Sequence, residues 1–121
     1  SNVQVCALRA IIYLSLVGRE GFLDVGKQCM DRAGYAWNQL KKIKGIEPAF
    51  NRRFFNEFAI RLPLSAKAVV NNLISEGIAA GFPVGKYYED MDDILLLAFT
   101  EKRTKEEIDI FLTKLESAIN N

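Results

Sequence analysis

The chain has no histidine among its 121 residues. That removes Ser-His and Cys-His nucleophile pairs, imidazole metal ligands and the histidine proton shuttle, so any chemistry here rests on carboxylates, lysine, tyrosine or a cofactor. Cysteine is scarce as well. Cys6 and Cys29 are widely separated, and with no histidine to join them they read as buried thiols of a cytosolic protein, not as a metal site or disulfide framework. Neither sign of charge is in excess: 16 Lys+Arg stand against 15 Asp+Glu, a net charge of +1. Such a chain has no electrostatic reason to seek nucleic acid or an anionic membrane. No methionine opens it, and its leading Ser-Asn is compatible with native sequence or an expression remnant. The apolar opening "SNVQVCALRAIIYLSLVG" is interrupted at Arg9 and is too short for a membrane span or secretory signal.

Half of the residues are hydrophobic, which excludes disorder. A chain of this length forms one domain, residues 1–121, and removes roughly two-thirds of its unfolded surface from water. Residues 5–16 carry apolar side chains up to a stop at Gly18, and the resulting helix is too hydrophobic to lie free in water. Residues 1–18 therefore read as a linking helix whose partner surface lies elsewhere. A second helix is predicted over Glu20 to Ile43, with Phe22, Val25, Cys29, Ala33, Ala36, Trp37 and Leu40 on its buried stripe and Gly45 as its stop. Gly26 and Gly34 inside it suggest close packing of a neighbour.

The period then changes. "FFNEFAIRL", Phe54 to Leu62, alternates as a strand with one better-buried face and ends at Pro63. Ser65 caps a helix from Ala66 to Glu76, with Val69, Val70, Leu73 and Ile74 expected inside. "ILLLAF", Ile94 to Phe99, lacks alternation and reads as a central strand covered on both faces. Thr104 and Glu107 form a capping box for a last helix burying Ile108, Phe111, Leu112, Leu115 and Ile119. With "IEPAF" as a first short strand, the order predicts an α+β, two-layer domain with helices packed on a small, mostly antiparallel sheet.

Between the Ala66–Glu76 helix and the strand at Ile94 lies "GIAAGFPVGK", Gly77 to Lys86. A phosphate loop needs Gly, four residues, then Gly-Lys-Ser/Thr, following a strand and opening a helix. Here Ala80 and Tyr87 occupy two defining positions, and the segment follows a helix. Gly77 is thus a helix stop, while Gly81 and Gly85 allow a turn or a close backbone approach. The acidic run Glu89, Asp90, Asp92 and Asp93 lacks the calcium-loop pattern and reads as a solvated turn. Asn56 and Glu57, with Arg61 on the same strand face as Glu57, are candidates for a cleft or an edge. The aromatics Phe54, Phe55, Phe58, Tyr87 and Tyr88 read as core and rim, because no basic surface accompanies them.

The runs "CALRAIIYLSLVGREGFLDVG", "FFNEFAIRLP", "GIAAGFPVGKYYED" and "ILLLAFTEKRTKEEID" together resemble the C-terminal region of subunit 1 in the two-subunit glycine dehydrogenase (decarboxylating) family, the P-proteins of the glycine cleavage system. The resemblance covers nearly the whole chain in the expected order. It implies the small C-terminal domain of a fold type I pyridoxal-phosphate enzyme, a cytoplasmic partner chain of subunit 2, and service to the lipoyl H-protein. It also implies pyridoxal phosphate in the complete complex and no catalytic, cofactor-binding or metal-binding residue in this stretch. Related enzymes place a substrate-carboxylate arginine on the strand before the last helix, and Leu96 stands at that place here. An aliphatic side chain cannot make the paired hydrogen bonds that hold a carboxylate. Arg103 lies just beyond the strand, within reach of a cleft or of helix-surface pairing.

A different reading is an independent ferredoxin-like module for small-molecule sensing or interaction, with the glycine segment as its ligand turn. The first helix discriminates: a domain of a larger protein leaves its apolar face bare and self-associates, whereas a complete module is monomeric. On the favoured reading Asn56, Glu57, Gly81, Gly85 and Arg103 are candidates for a cleft or subunit interface.

Overall fold

A computed structural model describes residues 2–121. Helix α1 spans Asn2–Leu40 and is bent at Gly18, whose φ of 66° and ψ of −175° lie outside the helical region. The expected stop at Gly18 is therefore a change of direction between two helical segments. Beyond it, Cys29, Ala33, Ala36 and Leu40 are buried at intervals of three and four, the spacing that stacks side chains on one helix face. Phe22 was expected on this stripe but is 54% exposed; α1 becomes partly covered at Val25 and is first buried at Cys29. The helix ends ahead of the expected Ile43, and Gly45 turns the chain with φ 93°. A side chain at Gly26 would reach the Phe55 ring at 3.8 Å, whereas Gly34 faces open space; the expected close packing holds for Gly26 alone.

Four antiparallel strands follow in the spatial order β1-β2-β4-β3: β1 (Glu47–Pro48), β2 (Glu57–Arg61), β3 (Phe82–Pro83) and β4 (Ile94–Ala98). Alternation along β2 is as read, with Phe58 and Ile60 buried between Glu57, Ala59 and Arg61. The strand is shorter than Phe54 to Leu62. Leu95 and Leu97 of β4 join Phe58 and Ile60 in one core with residues of all the helices. Those helices therefore share one face of the sheet. The other face carries Ala59, Leu96 and Phe82 in register across three strands, with Leu96 half-buried and Ala98 exposed. Strand β4 is central, as expected, but it is covered fully on one face only.

Helix α2 (Ala66–Ser75) is capped by the Ser65 hydroxyl, which accepts from the Ala68 N–H. Its inward residues are Ala66, Val69 and Leu73, and Val70 packs at the margin. Ile74 was expected inside and is 57% exposed. Helix α3 (Lys105–Asn120) starts at Thr104, whose hydroxyl accepts from the Glu107 N–H at 3.1 Å. Glu107 does not complete the capping box; its carboxylate pairs with Arg103 at 3.3 Å. The buried stripe Ile108, Phe111, Leu112 and Leu115 is as read, with Ala118 added and Ile119 at the margin. Aromatic contacts fasten the layers: Trp37 on Phe58 at 5.8 Å, Phe58 on Phe99 at 5.8 Å, and Phe99 on Phe111 at 6.1 Å. Trp37 is thus an anchor of the core.

Leu95 is fully buried and Leu16 is 81% exposed. Denaturant unfolding should show Leu95→Ala losing about 2–5 kcal/mol, the range for emptying a packed aliphatic site. Leu16→Ala should change stability by less than about 0.5 kcal/mol.

Candidate functional site

The glycine segment is shaped by contacts inside the domain. Gly77, with φ 81°, ends α2 by donating its N–H to the Ile74 carbonyl at 2.9 Å. Gly81 has φ 142°, and a Cβ there would lie 2.5 Å from the Leu96 carbonyl oxygen and 3.0 Å from Leu97 Cδ2. A Cβ at Gly85 would lie 2.8 Å from Asp92 Cα. Both glycines therefore permit close approach, Gly81 of β3 to β4 and Gly85 of the 3-10 turn Val84–Lys86 to the acidic turn. The segment enters an edge strand and opens no α-helix, so it presents no helix N-terminus to a phosphate.

Two of the clefts on the domain are lined by residues singled out from the sequence. The larger, about 440 Å³, runs along Gly77 to Ala80 over a floor of Leu97, Phe99, Ile108 and Phe111, with Arg103 and Glu107 at its rim. The smaller, about 280 Å³, lies between Trp37 and the loop after β1, where Phe50, Arg52, Arg53 and Phe54 face Glu57. The candidates read from the sequence do not converge on one point. Arg103 lines the first cleft, next to the segment that holds Gly81; Glu57 lines the second; Gly85 sits against Asp92; and the Asn56 carbonyl accepts the Phe99 N–H at 2.9 Å, prolonging the β2–β4 ladder. Arg61 does not pair with Glu57. It takes Asp93 in both carboxylate oxygens, at 2.7 and 2.9 Å, and so ties β2 to the start of β4.

The donors lining the larger cleft do not fit pyridoxal phosphate. Among the lining residues of the larger cleft there is no lysine for a Schiff base and no hydroxyl, and the Arg103 guanidinium is engaged by Glu107. No group of three or more metal-ligating side chains forms among the described residues. No described helix is long and apolar enough to cross a membrane.

Two features escaped the sequence reading. Tyr35 on α1 donates its hydroxyl to Asp109 on α3, Lys105 reaches the same carboxylate at 2.8 Å, and its ammonium lies 5.2 Å from the centre of the Tyr35 ring. Lys105 and Asp109 stand four apart on a helix, a readable pair, but nothing in the sequence joins Tyr35 to them. The Lys105 ammonium first, and then the Tyr35 hydroxyl, hold the Asp109 carboxyl below its ordinary range, and the same carboxylate raises Lys105. The second feature concerns the thiols. Cys29 is buried and donates to Glu101 at 3.3 Å, and burial pushes its pKa up. Cys6, expected inside, is exposed.

An extended unpartnered surface is the first half of α1. Every residue from Asn2 to Leu16 is exposed. Val5, Leu8, Ile11, Ile12 and Leu14 are each between 45% and 61% exposed. A helix so apolar on most sides is stable in water only when another surface covers it.

No family model matches the chain. It is 44% identical, over 98% of its length, to a curated protein of Geotalea uraniireducens named probable glycine dehydrogenase (decarboxylating) subunit 1. Its structure is similar, with a TM-score of 0.87 and 30% identity over 98% of the chain, to a solved glycine decarboxylase (P-protein) of the glycine cleavage system. A NifS-like protein matches at TM-score 0.68 with 16% identity over 84% of the chain and shows the fold alone. The chain spans 27% of the Geotalea relative, 26% of the P-protein and 30% of the NifS-like chain. These likenesses bear out the fold expected from the sequence, the small α+β domain of fold type I pyridoxal-phosphate enzymes.

Asp109 is stabilised as a carboxylate by folding, so its contribution is present above the unfolded carboxyl pKa and is lost as pH falls through the lower, folded value. Thermal unfolding between pH 2 and 7 should show a steeper acid loss in the native chain than in Asp109→Asn; equal slopes would remove the cluster from the account. A thiol reagent should modify one cysteine quickly in the folded chain and both after denaturation.

Proposed function

We propose that this chain, a homologue over nearly its whole length of glycine dehydrogenase (decarboxylating) subunit 1, is the small C-terminal domain of such a subunit. In this reading the complete subunit works with subunit 2 in the cytoplasm to decarboxylate glycine and pass the aminomethyl group to the lipoyl H-protein. The observation that supports it most is the match of almost the full chain to about a quarter of each relative, joined to an apolar arm that the domain leaves bare.

Pyridoxal phosphate, held by the rest of the complex, supplies the electron sink for that decarboxylation. The contribution of this domain is packing and closure. Leu96 stands at the centre of the apolar row Ala59, Leu96 and Phe82 on the helix-free sheet face, and it offers no donor to a substrate carboxylate. The domain is accordingly read as a non-catalytic copy of the fold. Asn56, Glu57, Gly81, Gly85 and Arg103 remain candidates for the margin that meets the cofactor domain or subunit 2. For Gly81 and Gly85 the role is indirect, since they permit the turn that shapes this margin. The alternative of an independent sensing module loses its ligand turn, because the space at both glycines is already taken by Leu96 and Asp92.

Glycine-dependent carbon dioxide exchange should appear when the complete subunit 1 is co-expressed with subunit 2, and should be absent from the 121 residues alone. Tight amino-acid binding by the isolated chain, with an inactive complete complex, would overturn the proposal. The isolated chain should also self-associate through its arm, so that Ile11→Asp, at a position 61% exposed, shifts it toward monomer in size-exclusion chromatography without lowering its unfolding midpoint.

A further inference from the structure

The bend in α1 involves two glycines, and they act differently. Gly18 holds φ 66° and ψ −175°, a conformation that L-residues with a Cβ resist and glycine adopts freely. A Cβ at Gly18 would meet nothing within 4 Å, so the requirement is for the backbone and not for space. Gly21 has the opposite requirement. A Cβ there would lie 3.0 Å from the Val17 Cβ, whereas side chains four apart in a straight helix stand roughly 5–6 Å apart at Cβ. The bend has brought Val17 onto Gly21, and a side chain there would have to push Val17 aside by a few tenths of an ångström.

Nothing in the domain holds the arm in this direction. All described residues before Val17 are exposed, and the first buried residue of α1 is Cys29. Glycine also accepts the ordinary helical conformation, at a cost of up to about 1 kcal/mol relative to alanine. We propose that Gly18 and Gly21 form an elbow, by which α1 interconverts between this bent form and a straight helix and so swings its apolar arm between two directions. Gly18 supplies the backbone freedom, and Gly21 supplies the room that Val17 needs in the bent form. The inference stands on this geometry and does not depend on the enzyme assignment.

The test measures a distance within α1 by pulsed electron spin resonance, in dilute chain carrying Cys29→Ala, with spin labels on Cys6 and on a Lys27→Cys substitution. In a straight helix these backbone positions lie about 32 Å apart. The unaltered elbow should give a distribution with a component away from that distance. Gly18→Ala should collapse it to the straight-helix value. A synthetic chain with D-alanine at position 18, which favours positive φ, should keep only the bent component. Gly21→Ala should shift the distribution toward the straight form by crowding Val17. The Trp37 near-ultraviolet signal checks that each chain is folded, and Gly21→Ala against the D-alanine chain suffices if Gly18→Ala is not. Identical distributions for the bent-favouring and straight-favouring chains would overturn the elbow.

Discussion

The structure depends on one matching of faces. Alternation on β2 and β4 places Phe58, Ile60, Leu95 and Leu97 on the same side of the sheet, and the helices rest on that side. Cys29 to Leu40 of α1, the inward stripe of α2 and the longer stripe of α3 all meet there. A slip of one residue in either strand would turn its leucines or its Phe58 and Ile60 outward. The bidentate pair of Arg61 with Asp93 and the hydrogen bond from Phe99 N–H to the Asn56 carbonyl hold the register at both ends of the β2–β4 pair.

This matching also explains what is left over. The core is complete without the first half of α1, which finds no apolar surface in the domain and stays bare from Val3 to Leu16. It is complete without the second sheet face too, where Glu57 and Arg61 flank a small apolar patch of Ala59, Leu96 and Phe82. The chain that carries this bare arm spans about a quarter of the relatives it matches. The glycine segment belongs to the other category: Gly81 and Gly85 are explained by Leu96 and Asp92 within the fold.

Much of the fold was legible because local signals agreed with the core. The order of elements, the Ser65 and Thr104 caps, the stop at Gly77 and the stripe on α3 all follow from period and capping chemistry. What sequence could not show was coverage. Phe22 and Ile74 sit at the right helical spacing but are left exposed, and Cys6 lies on the exposed arm. The aromatics read as one group divide: Phe54 and Phe58 pack together at 4.6 Å, while Tyr87 stacks on Phe82 at 5.6 Å beside the acidic turn. The contact of Tyr35 with Asp109 joins distant segments and leaves no local pattern. The family reading came from the resemblance of four separate runs, not from a motif.

In the proposed function, the apolar arm is a buried element of a larger subunit. Hydrogen–deuterium exchange of residues 2–17, in the isolated chain kept dilute and in the complete subunit bound to subunit 2, tests it most directly. The account expects these amides to exchange rapidly in the isolated chain and to be strongly protected in the complex, while those of β2 and β4 are protected in both. Equally rapid exchange of the arm in both would contradict it.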